Sequence, residues 1–273
     1  MKKKLGKWSS VLCMLMFLVV GGCEYDQKPY TLPTDFTLNF SIKDEPILNG
    51  SVTIDEISLN LQLIDIIGYR EQGEDVFFTR EYDDAKRFIL KPTHTGANES
   101  FNIPQGTYNP ISFSCVFQPD DDEEDLIEDI ADWFEDFETG GDLQELKEDL
   151  GEIVEDYLED ITPCIMVKGK FTSNNETKHI VMVVNNPLTF KIQGKNKNGG
   201  SEVTLVRSYV NNGNFQLSPA YWFSAISPEM LNNAMVGTND DEEYIFLSKY
   251  VNSTIYSAIY NRMEESTTLT INE

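Results

Sequence analysis

Val52-Thr53-Ile54-Asp55-Glu56-Ile57-Ser58-Leu59-Asn60-Leu61-Gln62-Leu63-Ile64 is the stretch that decides the fold class. Val52 and Ile54 share one parity, and Ile57, Leu59, Leu61 and Leu63 share the other. A helix would space its apolar residues three and four apart, whereas a period of two belongs to a strand buried on one face. The parity change at Asp55-Glu56 predicts a β-bulge, whose extra residue lets both runs face one core.

The same period recurs along the chain. Phe36-Thr37-Leu38-Asn39-Phe40-Ser41-Ile42 alternates without exception. Shorter strands are predicted at residues 76–79, 87–90 and 100–103, then at 108–117 with Ile111, Phe113, Cys115 and Phe117 on one face. Further strands follow at 165–171, 178–184, 188–193 and 202–206. The expected fold is mainly β with α, an antiparallel β-sandwich over residues 35–207, interrupted by an acidic segment and followed by a C-terminal α/β region, 208–273, packed on it.

The interruption is set apart by charge. The chain has 273 residues, 46 Asp plus Glu, 21 Lys plus Arg and a net charge of −25. Residues 119–163 hold 21 of those acids and one base, Lys147. Apolar residues inside it keep a helical period: Leu126, Ile130, Trp133, Phe134 and Phe137, then Leu143, Leu146, Leu150, Ile153, Val154, Tyr157, Leu158 and Ile161. Gly140-Gly141-Asp142 with Glu145 reads as a stop and a capping box, so a helical hairpin is expected. Each like-charged pair on its outer face costs on the order of 0.2–0.5 kcal/mol, against roughly 1.5–3 kcal/mol for each apolar side chain buried, so the hairpin requires its stripe to be covered. As an insertion between strands, it is expected to be removable without unfolding them. A solvated acidic face over a packed stripe is one reading, and a docking surface for a basic partner or divalent ions is the other.

The N-terminus reads as an export signal. Four Lys among the first seven residues precede an uncharged run, residues 11–20, followed by Val20-Gly21-Gly22-Cys23. A membrane span needs about 20 apolar residues and a signal core about 7–15, so residues 1–22 read as a removable signal. An aliphatic residue and two small residues before Cys resemble the bacterial lipobox. That resemblance implies diacylglycerol on the Cys23 thiol, cleavage before it, and a lipid anchor in the outer membrane, periplasmic or surface-exposed. Residues 23–34, polar with two Pro, are the expected tether. Glu24 and Asp26 resemble the acidic positions that follow the Cys in surface-exported lipoproteins of Bacteroides-like bacteria.

In the C-terminal region Ser227-Pro228-Glu229 opens a short helix, Val251, Ile255, Ile259 and Met263 mark a longer one, and residues 267–271 return as a strand. Ile103-Pro104-Gln105-Gly106-Thr107-Tyr108, a Gly-bearing turn feeding a strand, is similar to the inter-strand turn of transthyretin-like sandwich domains in Bacteroides-type lipoproteins. Trp222-Phe223, Ile245-Phe246-Leu247-Ser248 and residues 252–256 resemble C-terminal blocks of such proteins. The resemblance covers about a fifth of the chain and brings no activity with it.

Chemistry is sparse. The two His, His94 and His179, have no nucleophile or ligand cluster nearby in sequence, and no G-x-S-x-G elbow occurs. No cation loop spacing appears at the acidic runs, and no phosphate-cradling or dinucleotide fingerprint, so neither metal nor cofactor is expected. Net negative charge disfavours nucleic acid. Cys115 and Cys164 flank the acidic segment. Export favours a disulfide between them, whereas their parities point the thiols apart. Tyr221 and Trp222 are the candidate stacking residues for a sugar, with packing as the competing role. The expected function is a membrane-anchored envelope lipoprotein acting as a binding or structural module of open ligand, with an envelope protein or glycan as the partner beside the membrane, rather than an enzyme; the alternatives are a two-carboxylate carbohydrate hydrolase and a glycan-binding lipoprotein.

Overall fold

The computed structural model describes residues 32–92, 96–119, 162–239 and 242–272. Cys23, His94, the signal segment and the acidic stretch 120–161 lie outside the described residues, as does the expected tether as far as Tyr30-Thr31.

The described residues form thirteen strands in chain order: β1 Pro33–Ile42, β2 Val52–Arg70, β3 Val76–Leu90, β4 Asn98–Pro104, β5 Gly106–Phe117, β6 Ile165–Ser173, β7 Glu176–Val184, β8 Leu188–Asn196, β9 Val203–Leu205, β10 Asn211–Leu217, β11 Gly237–Asn239, β12 Glu242–Leu247 and β13 Thr268–Asn272. Among the described residues three α-helices, α1 Pro219–Phe223, α2 Pro228–Asn232 and α3 Ser253–Met263, are short by comparison, and the fold is mainly β. The strands form one curled mixed sheet in the order β11-β12-β7-β6-β2-β5-β8-β13-β10-β1-β4, with β3 on β2 and β9 on β5.

The predicted bulge in β2 is present, because its register against β6 shifts between Ile54 and Glu56. A second shift lies between Leu61 and Leu63. It moves the inward set from Ile57, Leu59 and Leu61 to Ile64 and Ile66, so Leu63 is half-buried rather than inward as its parity suggested. The expected short strands at 76–79 and 87–90 are two ends of one strand, β3, antiparallel to β2 along both. β1 begins at Pro33, so the last two tether residues pair with β4 instead. Pro33 is tolerated there because the first position of a strand need not donate.

The expectation of an antiparallel sheet is corrected. β1 pairs with β10, β7 with β12, and β8 with β13, all in parallel. Each of these pairs is joined by a long connection, as parallel pairing requires. The C-terminal region is therefore not laid on a finished sandwich: β10 and β13 fill the gap between β8 and β1, and β11 and β12 extend the other edge.

Curling brings inward faces together. Phe36 of β1 stacks on Phe113 of β5 at 5.5 Å, Phe40 meets Phe88 at 5.0 Å, Phe78 meets Phe101 at 5.7 Å, and Phe190 meets Phe215 at 5.9 Å. Such aromatic pairs add about 0.5–1.5 kcal/mol each beyond the area they bury. Where β3 comes over β4, Glu99 is buried and accepts from Arg80 at 3.4 Å and from Lys86, while the Arg80 guanidinium covers the Phe101 ring. Tyr108, fully buried, donates its hydroxyl to the Pro104 carbonyl across the Gln105-Gly106 turn, fixing the crossing from β4 to β5. Burial pushes its phenol up to about 12.

The acidic segment leaves and returns at one place. β5 ends with Phe117 opposite Leu61, and β6 begins with Ile165 opposite Leu59. The two strands thus lie end to end along the same side of β2. Between them sits Asn60, whose N–H donates to the Cys164 carbonyl at 3.1 Å and whose carbonyl accepts from Gln118 N–H at 3.0 Å. Its side-chain Nδ2 donates to the Gln118 carbonyl at 2.8 Å.

Candidate functional site

Strand alternation decides which side chains face away from the core. On β3 these include Phe77 and Thr79, on β2 Asp65, Ile67 and Tyr69, on β5 Ser112 and Ser114, and on β8 Lys191 and Gln193. Register sets them in rows: Thr79, Asp65, Ser114 and Lys191 in one, and Phe77, Ile67, Ser112 and Gln193 in the next. Over β2, β5 and β8 these rows line a hollow of about 550 Å³.

At one end of the face the side chains are aromatic. Phe77 is 70% exposed, Tyr69 48% and Ile67 39%, which is far from the fate of such residues in a core. The Tyr69 and Phe77 rings stand edge-to-face at 6.4 Å. The hairpin that carries them is held by Arg70, which donates from Nε to the Glu74 carbonyl at 2.5 Å and from NH1 to the Gln105 carbonyl at 3.1 Å. Toward β8 the face is polar, with Asp65 accepting from Thr79 Oγ1 at 2.6 Å and Lys191 two strands away. Aromatic rings beside fixed hydrogen-bonding groups on a rigid sheet can stack on the C–H face of a sugar while bonding its hydroxyls.

The residues singled out from sequence are placed differently. Trp222 is fully buried on α1, and its Nε1 donates to Ser266 Oγ, so it packs and does not stack on a ligand. Tyr221, one residue along a helix, points the other way and is 41% exposed, lining a hollow of about 500 Å³ with Lys43, Glu45 and Glu265. The charges there are matched already. Lys43 meets Glu45 at 2.8 Å and holds its carboxyl below the ordinary range; Tyr221 donates to Glu265 at 3.3 Å; and the Arg262 guanidinium lies over the Tyr221 ring.

Cys115 and Cys164 are both buried and are not bonded to each other, which is the outcome that their opposed parities favoured over the bridge. Cys115 lies on the core face of β5 opposite Phe190, whereas Cys164 turns its Sγ to the Phe117 carbonyl at 3.2 Å. Burial, and to a lesser degree the Asp65 charge, pushes the Cys115 thiol well above its ordinary value. Alkylation at pH 8 is therefore expected to label neither thiol in the native protein and both after unfolding. A native mass lower by two hydrogens, with no label in denaturant, would restore the bridge.

His179 sits on β7 with Glu242 at 3.2 Å and its ring stacked on Tyr244 at 5.2 Å. Among the described residues no three His, Cys, Asp or Glu side chains gather as a metal site, and no helix is long and apolar enough to cross a membrane. No protein-family model, curated protein or solved structure matches the chain.

Sequence reasoning missed Tyr69, Phe77 and Ile67. Val76-Phe77-Phe78 carried the signal, since three successive apolar residues on a strand leave at least one facing outward. Ile67 and Tyr69 lie past the expected end of β2 at Ile64.

Proposed function

We propose that this protein is a lipid-anchored cell-envelope binding module that takes a glycan on the outward face of β3-β2-β5-β8. The observation that carries the reading is the exposed Tyr69–Phe77 pair beside Asp65, Ser112, Ser114, Lys191 and Gln193. Solvent exposure of two aromatic rings and an Ile on one rigid face costs hydrophobic free energy that a stacking ligand recovers. Read as a β-sandwich, the curled mixed sheet suits this role as a stiff platform, and the transthyretin-like lipoprotein resemblance agrees with it. The lipobox at Cys23 supports a thioether-linked diacylglycerol and outer-membrane attachment, with each buried methylene contributing about 0.8 kcal/mol. A binding role is favoured over a hydrolase because the residues that line the hollow pair one carboxylate, Asp65, with hydroxyl, amide and amine groups.

The test is retention of the mature protein on immobilised envelope polysaccharide. Tyr69→Ala and Phe77→Ala should each weaken binding about five- to a hundredfold, as loss of one stacking ring worth about 1–3 kcal/mol implies, while Tyr221→Ala leaves it unchanged. Equal binding by all three variants would remove this face from the reading. The anchor is tested separately: Cys23→Ser should appear as soluble or unprocessed precursor, and its recovery in membranes with an acylated mass would overturn lipidation at Cys23.

A further inference from the structure

The β6-β7-β12 part of the sheet is buried on both sides. Ile165, Val167, Ile180, Met182, Val184, Ile245 and Leu247 belong to the main core. The residues that alternate with them do not, yet Met166, Val181, Val183 and Phe246 are 0–3% exposed. Register gathers these four: Met166 lies opposite Val183, and Val181 opposite Phe246. Ser58 and Asn60, on the same side of β2, are buried as well. The same face of the sheet is open over β5 and β8, so its burial here is local. Beside the apolar patch are basic groups. Lys168 lies opposite Val181 and Lys170 opposite His179, in a hollow of about 330 Å³ whose other charged residues are Lys91, paired with Glu56 at 3.4 Å, and Asp55. Among the described residues no carboxylate is within ion-pair distance of Lys168 or Lys170.

We propose that this face is the docking surface for the chain's own acidic segment, residues 120–161. Its sequence supplies both complements: an apolar set from Leu126 to Ile161, and 21 acids against one base across residues 119–163. The place of attachment agrees, since the segment leaves after Pro119 and returns before Thr162, at the Asn60 junction that borders Met166. Its length agrees too, because 42 residues, even at the roughly 1.5 Å rise of a helix, reach across four strands about 4.8 Å apart. Four apolar side chains kept from water favour the seat, and the lysines select an acidic occupant over other amphipathic segments. The segment is then a cover for a second apolar layer, and cutting it out uncovers Met166, Val181, Val183 and Phe246 instead of leaving the sheet unaffected.

Zero-length carbodiimide coupling of the full mature chain reads this directly, because it joins a lysine amine to a carboxylate only in close approach. Lys168 and Lys170 should couple to Asp or Glu residues within 120–161, and a one-to-one mixture of unlabelled and ¹⁵N-labelled protein should show those links within one chain. Links between differently labelled chains would make a second copy the occupant, and lysine links confined to Asp55 and Glu56 would leave the segment elsewhere; either result overturns the proposal. In the second arm, the Lys168→Glu/Lys170→Glu protein should be cut within 120–161 by Glu-specific protease about five- to tenfold faster, as loss of two surface ion pairs implies. An unchanged rate, with the sheet's circular dichroism intact, overturns the electrostatic part.

Discussion

Trp222→Ala is expected to lower the unfolding free energy by about 3–5 kcal/mol, the cost of truncating a large buried aromatic side chain. α1 has five residues, too few to hold a helical turn on backbone bonds alone, so its place depends on what it buries. Trp222 and Phe223 are both fully buried, and α1 packs against α3, whose inward stripe is Ile255, Tyr256, Ile259 and Met263. Trp222 also reaches past α3 to Ser266, so one side chain ties α1 to the turn that leads into β13. β13 in turn bridges β8 and β10, hence the loss should spread into the sheet and the unfolding transition should remain single. Tyr221→Ala, on the same helix but facing solvent, should cost under about 1 kcal/mol. Urea denaturation of the three proteins separates them. A Trp222→Ala midpoint within about 1 kcal/mol of the wild type, or a matching loss for Tyr221→Ala, would show that α1 is not held by this ring.

The contrast between these neighbours marks what the sequence could reveal. Period-two patterns located β1, the start of β2 and its first bulge, β4 to β9, and β13, because each buries one face against one core. The Ser227 cap is present as read, its Oγ accepting from Met230 N–H at 3.3 Å. β10 was illegible, since Asn211-Asn212-Gly213-Asn214 has the composition of a turn. Two tertiary contacts make it a strand. Asn211 is buried and donates to Thr34 Oγ1 at 2.9 Å and to the Val206 carbonyl at 3.0 Å. Gly213 lies under the Phe36 ring, where a Cβ would come within 2.7 Å of Cζ. The middle of β3 was illegible for the opposite reason. Glu81 to Lys86 are mostly exposed and bury too little for a pattern, while Arg80 and Lys86 fold back onto Glu99. The binding face was hidden because an outward aromatic and an inward one are the same letter; only register distinguishes Phe77 from Phe78. Trp222 misled for that reason: it and Tyr221 lie on a helix, where neighbours 100° apart face core and solvent.

Asn60→Asp changes one atom at the junction that closes the acidic segment, and it should convert a silent position into a pH-dependent one. In the native chain Nδ2 donates to the Gln118 carbonyl at 2.8 Å, and Asn60 is 1% exposed. An ionised carboxylate there would point an oxygen at a carbonyl oxygen in a place largely closed to water. Setting a buried charge against a carbonyl oxygen costs on the order of 3–5 kcal/mol, so the variant should be that much less stable at pH 8. Protonation restores a donor toward Gln118. Burial and the facing carbonyl both favour the neutral acid, so the introduced carboxyl titrates above its ordinary value of about 3.9 when folded. A folded value above the unfolded one means that stability is fully present below the unfolded pKa and is lost as pH rises through the folded pKa. The difference from wild type should therefore be small near pH 4 and grow toward pH 8. Asn60→Ala, which cannot titrate, should show a loss of about 1–3 kcal/mol that does not vary over the same range. Comparing each variant with the wild type at equal pH removes the titration of the other 46 acids, which is common to all three proteins. A flat Asn60→Asp difference would mean that water reaches the Gln118 carbonyl.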